Sequence, residues 1–162
     1  MNIFALDEAP EQAAAWHCDA HVIKMILETA QLLSTAHHVT TPLNAYPIYR
    51  QTHTNHPCAV WVRQSQANYI WLAQLGQALC DEYTFRYGKV HKTQSVLDWL
   101  QSNTPPSSGV VLTPFALAMP EELRDIGHPI QSYRNYYQTK RGGRLGTWKN
   151  RQAPDWWNHD DR

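Results

Sequence analysis

His17, His21, Lys24, Glu28 and Gln31 recur at spacings of four, three, four and three. At about 100° per residue this spacing holds all of them on one narrow helical stripe. Val22, Ile23, Met25, Ile26, Leu27, Ala30, Leu32 and Leu33 cover the rest of the circumference. The stretch from Trp16 to His38 therefore predicts a helix buried almost all round. Its polar line should face a pocket or an internal polar network, because unpaired charge in a core is very costly. The same residues also fit a solvated face of a surface helix, with Lys24 and Glu28 as an i,i+4 pair in the less favourable order. Read as a site, Lys24 beside Glu28 suits a reaction in which an amine is kept uncharged and a carboxylate steadies a cationic transition state.

Other chemistries find less in the chain. His17 and His21 at i,i+4 offer two metal donors that His53 and His56 could complete, but the acid and spacing of HExxH are missing. Hydrogen bonding inside a polar network is the alternative for these histidines, and solvent exposure at the helix end is the alternative for His37 and His38. P-loop, strand-linked GxGxxG and GxSxG patterns do not occur, so nucleotide hydrolysis, dinucleotide binding and esterase chemistry lack support. No cofactor is expected. The segment RGGRLG at 141–146 sets glycines between arginines, as either a phosphate grip or a flexible surface loop.

Charge is balanced overall, with 14 basic and 14 acidic side chains, but unevenly placed. Between Gln131 and Asn150 stand Arg134, Lys140, Arg141, Arg144 and Lys149 with no acid among them. Seven tryptophans and eight tyrosines suit either stacking on bases or an ordinary core. The three cysteines show no CxxC spacing, which reads as free thiols in a reducing, cytoplasmic setting. The N-terminus lacks a basic, apolar leader and no stretch approaches a membrane span, so no membrane partner is expected.

The elements that must position these groups are helical. Asn2 to Leu6 read as an edge strand or extended arm, and Asp7, Glu8 and Glu11 as a helix start. A long loop over 39–55 follows the organising helix. A second long helix starts near Asn55 to Pro57 and ends at Tyr87, with Gly88 as left-handed cap. A third starts after Thr93 and stops before the Pro105-Pro106 breaker. The segment VVLTPFALAMP reads as extended, Glu121 to Asp125 as one turn, and Ile130 to Arg141 as a last helix with Tyr133, Tyr136, Tyr137, Lys140 and Arg141 on one side. Trp148, Trp156 and Trp157 pin a tail. At 162 residues the chain is expected to form one all-α domain, a bundle of four to six helices around the N-terminal one, with a basic aromatic segment at 130–162.

Three stretches resemble the pyrimidine dimer DNA glycosylase family, the small helical enzymes similar to phage endonuclease V. They are Lys24, Glu28 and Gln31; then Asn55, His56, Pro57 and Trp61; then Glu82, Tyr83, Arg86, Tyr87 and Gly88, agreeing in order and spacing over roughly the first ninety residues. Tyr133, Tyr136, Tyr137 and Lys140 are more weakly similar to the aromatic, basic C-terminus of the phage enzyme. The resemblance implies an all-helical fold, double-stranded DNA with a damaged or modified base as partner, and amine attack on the sugar carbon bearing the base. It further implies an imine intermediate and a glutamate that stabilises the sugar cation. In the phage enzyme the amine is exposed when the initiator methionine is removed. Here bulky Asn2 follows Met1, so methionine is expected to stay; the Met1 amine serves, or Lys24 does, or the lyase step is absent.

The resulting expectation is a DNA base-excision or base-modifying enzyme that draws a nucleotide into a pocket at the Lys24 and Glu28 stripe. Glu28 and Lys24 would do the chemistry, with His17 and His21 shuttling protons. Phosphates would be held by His56, Arg134, Lys140, Arg141 and Arg144, with Tyr137 in the same DNA-binding segment. A histidine-based metal-dependent hydrolase and a non-catalytic helical nucleic-acid-binding module are the alternatives.

Overall fold

A computed structural model describes residues 1–41, 47–143 and 145–158 of the chain. They form seven α-helices, α1 (Pro10–Trp16), α2 (Asp19–Thr40), α3 (Pro57–Gln64), α4 (Gln66–Tyr87), α5 (Gln94–Ser102), α6 (Pro129–Gln138) and α7 (Asp155–Asn158), with a 3₁₀ turn at Glu121–Leu123. No strand occurs among the described residues. The all-α expectation holds. Helix α4 packs against α1 and α2, while α3 and α5 each pack on α2 and α4. One core runs from Ile3 and Leu6 through Val22, Ile26, Leu33, Leu72 and Leu79 to Tyr133 and Trp157. The expected loop over 39–55 includes residues 42–46, which lie outside the described residues.

Two helices expected to be continuous are broken. The stretch Trp16 to His38 is interrupted at His17 and Cys18, whose extended backbone (ψ of 133° and 161°) ends α1 and starts α2. His17 thus does not share a helix with His21. A break strands backbone N–H groups, and these find partners. The Cys18 N–H donates to the Tyr137 hydroxyl at 3.0 Å and the Asp19 N–H to the Thr147 carbonyl at 2.9 Å. Residues far along the chain therefore make the break possible, and periodicity could not show it.

The second break falls at Ser65, whose hydroxyl accepts from the Asn68 N–H at 3.0 Å and caps α4. Asn68, fully buried, donates to the Trp61 carbonyl (2.8 Å) and the Thr113 hydroxyl (2.7 Å), tying the break to the extended 110–119 segment. Gly88 ends α4 as expected, at φ 65°, a conformation that suits glycine.

Residues 1–6 settle as an extended arm, not a strand, and the arm is part of the core: Ile3, Phe4, Ala5 and Leu6 are buried. Asn2 fastens it through its side chain, Oδ1 accepting from the Ile3 and Phe4 N–H groups and Nδ2 donating to the Ala118 carbonyl at 2.8 Å. Phe4 takes φ 35°, a left-handed value that is strained for a bulky residue, and stacks on His21 at 4.5 Å. Packing of Phe4 among His21, Tyr136 and Tyr137 offsets that strain.

Arg86, buried on α4, closes the lower end of the bundle. It bonds Glu82 at 2.8 Å, Asp19 at 2.9 Å and the Ala15 carbonyl at 3.0 Å, while Arg151 chelates the same Glu82 at 2.8 and 3.0 Å. Burial works to raise the Glu82 carboxyl, but the hydrogen bonds from Arg151 and Arg86 outweigh it and hold it low. Arg86→Met leaves Glu82 and Asp19 short of their buried partner, and the expected cost is about 3–5 kcal/mol. Urea unfolding of the purified variant measures it; a loss under about 1 kcal/mol contradicts this account.

Candidate active site

The polar line read from His17 to Gln31 divides in two when the fold is built, with His17 at the end of α1 and the rest on α2. Its upper half is covered. His17 is fully buried, with Nδ1 donating to the Ala13 carbonyl at 2.6 Å, and His21 stands 2.8 Å from the Tyr137 hydroxyl under the Phe4 ring. Burial pushes His17 down to about 4, and burial with the neighbouring His17, Lys140 and Lys24 charges pushes His21 down to about 3. Both are neutral struts at pH 7.

Their titration has a defined sign. Below pH 6.5 the unfolded chain takes up protons that the folded one refuses until about pH 4 for His17 and about pH 3 for His21. Stability is therefore whole above pH 6.5 and is lost progressively below it, on the order of 3 kcal/mol for His17 alone. Urea midpoints measured between pH 7.5 and 4.5 should fall, and His21→Gln should flatten that fall. An unchanged slope in His21→Gln contradicts the assignment.

The lower half of the stripe is open. Lys24 is 66 % exposed and Glu28 15 %, while Ile23 and Leu27 are exposed at 44 % and 38 % instead of buried. The expectation of a helix buried all round fails at this face, and so does that of a desolvated lysine. Ile23, Lys24, Leu27, Glu28 and Gln31 form one wall of a slot of about 310 Å³. The other wall is the loop between α4 and α5, with His91, Lys92 and Thr93. His91 braces that loop: Nδ1 accepts from the Thr93 N–H at 3.1 Å, and Tyr83 packs against the ring at 4.9 Å. The Thr93 hydroxyl bonds the Tyr49 hydroxyl at 2.9 Å.

On its other side Glu28 meets the N-terminus. The α-amino nitrogen of Met1 lies 3.9 Å from Glu28 Oε1, and Lys24 Nζ lies 3.8 Å from the same oxygen. The Met1 side chain is only 5 % exposed although the residue as a whole is half-buried, so the solvent it meets is met by its main-chain end. The arm thus buries its side chains and presents its amine to a carboxylate. His56 belongs to this corner: burial, then the positive charge of the Met1 amine, lower it against the opposing pull of Glu28. Its Nδ1 accepts from the Cys58 N–H at 3.1 Å, which leaves the neutral ring's proton on Nε2. Cys58 lies close by, but burial pushes its thiol up to about 12, so it stays protonated and is no competing nucleophile.

This corner also holds the sequence signature to which the chain can be compared. A model of the pyrimidine dimer DNA glycosylase family matches residues 1–95, more than half of the chain. The chain belongs to that family. A glycosylase type of DNA repair comes with the membership, and DNA with it as substrate. No individually curated protein and no solved structure matches. The matched span contains the whole of the Met1, Glu28 and His56 corner and both walls of the slot.

Residues expected to hold DNA in this glycosylase fold fare unevenly. Arg134 grips the arm, donating to the Leu6 carbonyl at 2.9 Å and to Asp7 at 3.2 Å, with its guanidinium over Trp16. Tyr137 is buried, with its hydroxyl at Cys18 and His21. Lys140 lies over the Tyr136 ring at 4.4 Å and Arg141 over Trp157 at 5.4 Å, and Arg144 lies outside the described residues. Among the described residues no three metal-ligating side chains come together, so the histidine-based hydrolase finds no donor set. No helix in the described structure is long and apolar enough to cross a membrane. Sequence reasoning missed the His91 to Thr93 wall and the anchor role of Asn2. The first follows the Gly88 cap with no periodicity to mark it, and the second depends on Ala118, far along the chain.

Proposed function

We propose that the protein is a DNA glycosylase with an associated lyase step, acting on a damaged or modified pyrimidine in duplex DNA, with the Met1 amine as nucleophile. The observation that carries this reading is the 3.9 Å approach of the Met1 α-amino nitrogen to Glu28, in a chain whose matched family works on DNA. Lys24, two-thirds in solvent, lacks the burial that makes a lysine a nucleophile.

In the first step the amine nitrogen bonds C1′ of the damaged nucleotide as the C1′–N glycosidic bond breaks. The base leaves with the bonding pair and takes a proton from solvent. Glu28 stabilises the positive charge that builds on the sugar and then accepts the proton shed by the attacking nitrogen. Returning that proton to O4′ opens the ring to an iminium and restores the carboxylate. Loss of a C2′ proton to solvent then forms the C2′–C3′ double bond and expels the 3′ phosphate, the lyase step. His56 would donate from Nε2 to a phosphate oxygen beside the reacting sugar.

The test is base release and strand cleavage on UV-irradiated duplex DNA. Cleavage of irradiated but not of untreated DNA is expected. Absence of base loss from any pyrimidine-damaged duplex overturns the reading.

A further inference from the structure

We infer that the slot beside Glu28 seats one nucleotide of an intact DNA strand, and that Lys92, from the loop facing α2, binds the phosphate on one side of it while Lys24 binds the phosphate on the other. This rests on the glycosylase reading and names how its substrate is held. Several observations converge on the slot. Ile23 and Leu27 leave large apolar surface uncovered on the helix face that forms its wall. Such surface at the lining of a pocket suits the flat, apolar face of a base. Lys24 and Lys92 stand on opposite walls of the slot. Among the described residues Lys92 is exposed with no ion-pair partner, and Lys24 pairs only with Glu28, at a distance longer than a hydrogen bond.

The contrast with the C-terminal cations sharpens the inference. Arg134 is spent on Leu6 and Asp7, and Arg151 on Glu82. Lys92 is held differently. Its chain neighbours are fixed, Thr93 by the Tyr49 hydroxyl and His91 by the Thr93 N–H and the Tyr83 ring, so a held backbone carries a free ammonium group to the mouth of the slot. A free base or nucleoside would use only the apolar wall. Two cations across it fit a nucleotide still joined on both sides.

The experiment is the salt dependence of binding to a duplex containing a tetrahydrofuran abasic analogue, which has the flanking phosphates but cannot react. Each phosphate contact contributes about 0.9 to the log–log slope. Lys92→Met should make the slope shallower by about 0.9, Lys92→Arg should keep it, and Lys24→Met with Lys92→Met should remove about 1.8. Lys92 is exposed on a loop, so its replacement leaves the fold, read by the melting midpoint, unchanged. A wild-type slope in Lys92→Met overturns the proposal, and if that variant still excises bases the glycosylase reading survives it. A slope that follows Lys92 in a protein that releases no base keeps the phosphate grip and removes the glycosylase reading.

Discussion

Glu28→Gln is expected to lower turnover on damaged duplex by about two to three powers of ten while leaving DNA affinity almost unchanged. Glutamine keeps the size of the side chain and its reach towards the Met1 nitrogen and Lys24. What it loses is the negative charge that meets the sugar cation and the basicity that takes and returns the amine proton. Binding draws on phosphate contacts, which the substitution does not touch, so the defect should lie in kcat. Stability should hardly move. The Lys24 side of the pair is 66 % exposed, and such pairs contribute at most about 1 kcal/mol. A structural role for the pair as a buried salt bridge, worth several kcal/mol, is therefore not available to explain Glu28. Full activity in Glu28→Gln contradicts the mechanism.

A single extra glycine ahead of Met1 should reduce activity at least about a hundredfold, because it carries the free amine some 3.5 Å along the chain, and misplacement by about 1 Å can already cost that much. Lys24→Gln, in contrast, should keep the chemistry and lose only affinity. These opposite outcomes distinguish the two amines that face one carboxylate oxygen. The arm itself is held by Asn2, Arg134 and its buried side chains, none of which the added residue replaces. The melting midpoint of the extended protein should accordingly stay near that of the parent, which separates a displaced amine from a disrupted arm. Activity equal to that of the parent assigns the nucleophile elsewhere.

Which parts of this could be read from the residues alone follows from the range of the interactions. The helical class, the Gly88 stop and the start of α3 at Pro57 depend on periodicity and caps, which are local. The pairing of Lys24 with Glu28 is local too, being one helical turn. The break at Cys18 instead depends on Tyr137 and Thr147, and the break at Ser65 is tied through Asn68 to Thr113. Exposure of Ile23 and Leu27 depends on what the His91 to Thr93 loop leaves uncovered, so the apolar stripe looked like core. His17 and His21 matched the spacing of reactive groups but are covered by Phe4 and Tyr137, residues that sit 13 to 120 positions away. The Met1 amine was one of three open alternatives, and the distance to Glu28 is what gives it weight.

The most direct measurement is borohydride trapping of the enzyme on damaged duplex DNA, followed by mass-spectrometric mapping of the modified peptide. Reduction fixes the imine between the attacking amine and C1′, so the adduct marks the nucleophile itself. The mechanism predicts a single adduct on the α-nitrogen of Met1, retained in Lys24→Gln. An adduct on Lys24, or base release with no trapped species at all, contradicts it.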